Sequence, residues 1–247
     1  MFINRSSQHS QGKVPAIEAM LSLTIKGSCC SNKKGSIPEP NSQKRIPMKG
    51  SEVLEKILSG NKRFLQGERI GICNPVDVDL GTMVEGQNPI AAVLCCSDSR
   101  VPPEHVLDKK IGEIFVVRVA GKVPGPAVIG SLEYAVKHLK VPLLLILGHE
   151  GCGAVKAALE GMGSQTGGAL GALIKELEPA VLPVLRQKGK VDDVVHEAVY
   201  ATVWYIIDRV LDLSPVIAAA VKNGDLLIKG AVYGLSTGEV SLLEQEG

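Results

Sequence analysis

Downstream of residue 90 the chain alternates short apolar, β-branched runs with longer stretches of helical spacing. "IAAVLCC" (Ile90 to Cys96), "IFVVRVA" (Ile114 to Ala120) and "LLLILGH" (Leu143 to His149) are nearly continuous apolar runs without in-and-out alternation. That pattern predicts strands buried on both faces. Between and after them, "AVIGSLEYAVKHL" (Ala127 to Leu139) and "GAVKAALEGM" (Gly153 to Met162) place apolar residues three and four apart and predict helices. Strand, crossover and strand in succession are the mark of a parallel sheet.

Ala169 to Leu213 reads as mostly helical, with Gly163 to Gly168 a turn and Pro179 and Pro183 expected to bend or end its first helix. "SPVIAAAVKNG" opens with Ser-Pro, a favourable helix start. "LLIKGAVYGL" supplies a fourth strand and "GEVSLLE" a short fifth at the edge. Upstream, "SEVLEKILSGNKRFLQGE" predicts an amphipathic helix with Ser51 as N-cap and Gly60 as a break or cap. The expected fold is α/β: a mostly parallel central sheet of four strands plus a short edge strand, flanked by α-helices, behind an extended N-terminal tail.

Composition sharpens the boundaries. Of 247 residues 45% are hydrophobic and only 3% aromatic, so the core is one of Val, Ile, Leu and Ala. The net charge of +1 excludes a global field for nucleic acid or anionic membrane. It hides an uneven distribution, because residues 1–50 hold eight Lys/Arg against Glu18 and Glu39. With the Pro- and Ser-rich "GSIPEPNSQKRIPMKG" before Ser51, this divides the chain into a basic tail, 1–50, disordered or a targeting segment, and a folded domain, 51–247. No apolar run reaches the roughly 18 residues of a membrane helix. The six cysteines are sparse and uneven, as in a reducing compartment: the cytoplasm or an organelle or microcompartment interior, with export through the N-terminal segment as the alternative.

Ligands of open α/β sheets gather at the carboxyl ends of the strands. Cys96 closes the first predicted strand and His149 the third, with Cys152 three residues on. Two thiolates and an imidazole suit zinc and leave its fourth tetrahedral position open. Alternation along an extended chain puts Cys96, Asp98 and Arg100 on one side and sends Cys95 to the other, into the core. Arg100 can grip the Asp98 carboxylate with its planar fork and hold it off the metal. Each piece alone has a plainer reading: a strand cysteine is ordinarily packing, and Asp-x-Arg is often a surface ion pair. Their joint placement at strand ends favours a metal site. Cys73 is the one candidate for a fourth, closing ligand, whereas His105, His138 and His196 read as surface or helix-packing residues.

These residues carry a close resemblance to the β-class carbonic anhydrases. "CSDSRV" (Cys96 to Val101) and "GHEGCGAVKAAL" (Gly148 to Leu159) are similar to the two zinc-binding signatures of that family. "FVVRVAG", "GSLEYAV" and "GAVYGLSTGEV" match its intervening and closing segments, and the likeness spans Ser51 to Leu243. The resemblance implies one Zn2+ per chain on Cys96, His149 and Cys152, and a catalytic dyad of Asp98 and Arg100. It also implies substrate contacts from Gln87 and Gly153. The implied reaction is reversible hydration of CO2 to bicarbonate and a proton, through zinc-bound hydroxide oriented by the dyad, in a homodimer or higher homo-oligomer. Hydrolysis of carbonyl sulfide or carbon disulfide on the same scaffold, or a catalytically silent zinc or bicarbonate binder, are the alternatives. Lys122 stands where the family often has Asn, and an added cation there is expected to alter anion affinity or proton exit.

Overall fold

The computed structural model describes residues 48–71, 83–188 and 191–244. Cys73 and nearly all of the basic tail lie outside them. Five strands form one sheet: β1 (Ala91–Cys95), β2 (Ile114–Arg118), β3 (Leu143–His149), β4 (Leu227–Tyr233) and β5 (Val240–Leu242), in the order β2-β1-β3-β4-β5. The first four run parallel, and β5 pairs antiparallel with β4. The predicted architecture holds, with strand ends trimmed by a residue or two.

Both faces of the sheet are covered, which is why its central strands show no alternation. Ala91, Val93, Cys95, Leu143, Leu145 and Leu147 pack on one side with Val53 and Ile57 of α1 (Gly50–Gln66) and with α2 (Pro103–Val106). Ala92, Leu94, Cys96, Leu144 and Ile146 face the opposite core. There they meet α3 (Pro126–Lys137), α4 (Gly153–Leu159), α6 (Gly168–Lys175), α7 (Glu178–Lys188), α8 (Val191–Leu213) and α9 (Pro215–Lys222). A one-turn helix, α5 (Met162–Gln165), links α4 to α6. Leu143 to Leu147 are fully buried, and each such side chain contributes on the order of 1.5–3 kcal/mol through its removal from water.

Local expectations fare unevenly. Ser214 caps α9 as the Ser-Pro pair predicts, its Oγ accepting from Ile217 N at 3.1 Å. Ser51 does not cap α1: the helix starts one residue earlier, at Gly50, and the amide of Lys49 donates to the Glu52 carboxylate at 3.3 Å. Gly60 neither breaks nor caps it. It is buried inside the helix, where a Cβ would strike the Leu107 carbonyl, and the helix runs on to a left-handed Gly67 with φ 73°. Pro179 occupies the second position of α7, where its missing N–H is not called on, and Pro183 lies within that helix without ending it. The turn predicted over Gly163 to Gly168 contains part of α5.

Two polar anchors fix α1 to the sheet layer. Buried Asn61 donates to the carbonyls of Val106 (3.0 Å) and Gly238 (2.9 Å) and accepts from Val240 N (2.9 Å). Arg63 Nε bonds the fully buried Asp108 carboxylate at 2.6 Å, which also accepts from the amides of Ile70 and Gly71. Burial pushes the Asp108 pKa up, but the two amides and Arg63 together hold it below the ordinary carboxylate value. A lowered folded value means that the contribution to stability is complete above the unfolded pKa of about 3.9 and is lost as pH falls through the folded one. Asp108→Asn is therefore expected to cost about 2–3 kcal/mol at neutral pH. In denaturant melts from pH 7 down to pH 2, variant and wild type should converge in acid; equal stability at pH 7 would contradict this account.

Candidate metal centre

The parallel register delivers the site. Cys95 of β1 lies beside Leu147 of β3, so the two neighbouring strands release their chains at nearly the same level. Cys96 leaves the first, His149 ends the second, and the tight turn through Gly151 (φ 59°) brings Cys152 back as the N-cap of α4. The three ligand atoms lie within 4.8 Å of one another, and all three residues are buried. A tetrahedral zinc with its usual bond lengths needs its sulfur ligands about 3.8 Å apart. Spacing and donor set both fit that ion.

The hydrogen bonds point the same way. His149 Nδ1 lies 2.8 Å from the carbonyl oxygen of Glu150, which can only accept, so Nδ1 carries the proton and Nε2 presents a bare lone pair. Nε2 is buried and has no hydrogen-bond partner among the described residues. An orphaned imidazole nitrogen facing two thiols is what a metal would satisfy. The two thiols interact, which holds the Cys96 pKa up and the Cys152 pKa down. Amides of Ala154 and Val155 at the start of α4 add to the lowering at Cys152.

Asp98 faces this group from the rim, its Oδ2 3.9 Å from His149 Nε2. Arg100 grips it three ways: Nε to Oδ1 at 2.9 Å, Nη2 to Oδ2 at 2.7 Å, and the backbone amide to Oδ1 at 3.0 Å. These bonds to Arg100 are the main reason that the Asp98 pKa lies far below the usual carboxylate range. The carboxylate therefore stays ionised through the neutral range and accepts hydrogen bonds only. Cys95 points into the opposite core, and burial pushes its thiol up to about 12, so it remains a protonated packing residue.

The remaining candidates are dispersed. Gln87 is exposed on the loop that enters β1, at the end of the strand opposite to Cys96. Gly153 is exposed beside Cys152, and a Cβ there would meet nothing within 4 Å. His105 is exposed, while the rings of His138 and His196 pack at a tilt against Tyr134 and Tyr200 respectively. Lys122 is buried, with φ 55°, and its ammonium donates into α8 at Thr202 Oγ1 (3.1 Å). Burial pushes its pKa down. The Glu150 carbonyl that orients His149 was invisible to a reading of side chains, because a backbone oxygen has no sequence signature. Its residue is held by Glu150 N to Tyr233 O at 2.9 Å and by Ser236, which donates from Oγ at 3.0 Å to the Glu150 carboxylate.

A doubly covered parallel sheet thus carries, at its carboxyl edge, a buried Cys-His-Cys group that could hold a metal ion, with an ionised carboxylate beside it. The carbonic anhydrase family model matches residues 91–240, a span that contains Cys96, His149 and Cys152. Carbonic anhydrase 2 of Mycobacterium tuberculosis is 38% identical over 192 residues, which cover 76% of this chain and 90% of that relative. Among solved structures, the β-carbonic anhydrase CcaA superimposes with a TM-score of 0.63 at 24% identity, over 78% of this chain and 95% of that one, a likeness of fold. A tetrameric β-carbonic anhydrase of Sordaria macrospora gives 0.60 at 25% identity, over 78% and 97%. The chain belongs to the β-carbonic anhydrases.

Proposed function

We propose that this chain catalyses the reversible hydration of CO2 to bicarbonate and a proton, with one zinc held by Cys96, His149 and Cys152 and with Asp98 and Arg100 as its catalytic dyad. The observation that carries the reading is the bare, buried Nε2 of His149, facing two thiols and lying 3.9 Å from an ionised carboxylate. A zinc ion bound there supplies the Lewis acidity that makes water a nucleophile near neutral pH.

The protein's own part is positioning. The Glu150 carbonyl fixes the tautomer of the neutral imidazole, with the proton on Nδ1 and the lone pair on the metal-facing Nε2. Asp98, unable to donate, accepts a proton-bearing bond and thereby aims an oxygen lone pair at the substrate carbon. Arg100 keeps both carboxylate oxygens engaged and limits how far Asp98 can swing toward the metal. The proton produced leaves toward solvent past the rim, where Arg100 is exposed.

Gly153, exposed beside Cys152, is assigned to the lining of the substrate space. Gln87 sits at the far end of its own β1, so its role as a substrate donor belongs to a homo-oligomer in which a second copy brings it to the site. The test is stopped-flow CO2 hydration on zinc-loaded protein, with sulfide release from carbonyl sulfide and carbon disulfide measured in parallel. Hydration with a turnover number above about 10³ s⁻¹ is expected. Rapid sulfide release with negligible hydration would reassign the substrate, and no turnover on either at full zinc content would make the chain a silent zinc protein.

A further inference from the structure

Arg118 closes β2, in register with Cys95 across the sheet. Its guanidinium turns along the strand ends: Nε donates to the Cys96 carbonyl at 3.1 Å and Nη2 to the Asp98 carbonyl at 2.7 Å. These are the main-chain oxygens of a zinc ligand and of the dyad carboxylate. No carboxylate lies within ion-pair distance of Arg118 among the described residues, so the side chain is committed to the peptide units rather than to a counter-charge.

The place of this contact matters. The ladder between β1 and β2 ends with Val119 N to Cys95 O (3.2 Å) and Ser97 N to Val119 O (3.3 Å). Beyond Ser97 the chain departs from the sheet, and among the described residues Asp98 O is otherwise held only by the turn bond from Val101 N at 3.1 Å. Arg100 fixes the Asp98 side chain but rides on the same loop, three residues from the last ladder bond, and so cannot anchor it to the sheet. Arg118 can, because it projects from an ordered strand. Two carbonyls two positions apart also suit a donor with two parallel N–H groups, which a guanidinium has and an ammonium has not.

We propose that Arg118 is a positioning residue of the metal centre: its clamp on the Cys96 and Asp98 carbonyls holds the ligand thiolate and the dyad carboxylate in one fixed frame. The inference rests on the carbonic anhydrase reading for its effect on rate, but its effect on the metal site is independent of the reaction. A shift of the loop by about 1 Å is enough to cost on the order of 100-fold in rate.

The full-length chain is loaded with zinc for kinetics and with cobalt for spectroscopy, as wild type, Arg118→Met and Arg118→Lys. For Arg118→Met, kcat for CO2 hydration should fall roughly 10- to 100-fold per metal-loaded chain with KM within about threefold. The cobalt d–d and thiolate charge-transfer bands should shift or broaden relative to wild type. Arg118→Lys, able to reach one carbonyl, should lie between the two. If Arg118→Met fails to fold, the comparison passes to Arg118→Lys, with the same expected spectral change in smaller measure. A wild-type cobalt spectrum in the folded variants overturns the proposal whatever the rate does. A wild type that is inactive on CO2 while the variants alter the cobalt spectrum would instead remove the functional reading and leave the clamp standing.

Discussion

Cys152→Ala is expected to empty the metal site and, with it, the activity. Cys152 is 1% exposed and supplies one of only three protein donors among the described residues, so its loss leaves a thiol and an imidazole for an ion that needs four contacts. Loss of an outer partner alone weakens zinc sites by about 10- to 100-fold, and loss of a direct ligand should exceed the upper figure. Zinc per chain after dialysis against a chelator should therefore drop to trace levels and hydration to background. The fold should survive, because the substitution removes one sulfur from a site at the sheet's edge and costs about 1 kcal/mol. Metal analysis on the same sample as circular dichroism separates the two effects. Full zinc retention would refute the ligand set.

Asp98→Ala should do the reverse, keeping the zinc and losing the rate. The Asp98 side chain approaches the candidate ligands at 3.9 Å, Oδ2 to His149 Nε2, whereas Arg100 makes three bonds to it, and the Asp98 backbone, which interacts with Cys96, is retained in the alanine variant. Zinc content should stay within error of wild type while kcat falls about 100- to 1,000-fold, the usual scale for removing one oriented polar contact to the reacting group. Because Arg100 already holds Asp98 far below the normal carboxylate range, the carboxylate does not titrate between about pH 5 and 9. The pH dependence of the wild-type rate must then come from other groups, and the residual rate of Asp98→Ala should follow the same curve at a lower level. A variant that loses its zinc, or one that keeps its rate, would remove Asp98 from the proposed role.

Much of this site was legible in the sequence because its ligands interrupt apolar runs. Cys96 and His149 stand where a buried strand gives way to a turn, Cys152 where the second of those turns opens a helix, and parallel strands bring such ends together. Parity along β1 separated Cys96 from Cys95 correctly. What was not legible depends on distant backbone. Gly60 reads as a helix breaker until Leu107 is seen pressed against it. Lys122 reads as an added cation near the site, and only the fold shows it buried by α8 against Thr202. The Glu150 carbonyl and the carbonyls taken by Arg118 are peptide groups, which every residue has, so only folding singles them out.

The adjacent sulfurs at the end of β1 carry one last implication. Ala91 to Leu94 are apolar throughout and covered on both sides, so hydrophobicity by itself does not tell this strand which way round to lie. Slid along by a single residue, it would still bury its side chains and still offer zinc a sulfur, that of Cys95. Yet Ser97 and Ser99 would then stand in for the acid and its guanidinium partner, giving a protein loaded with metal and chemically idle. The doubled cysteine thus makes metal content blind to the reading frame of the strand, and only turnover reports that it is correct.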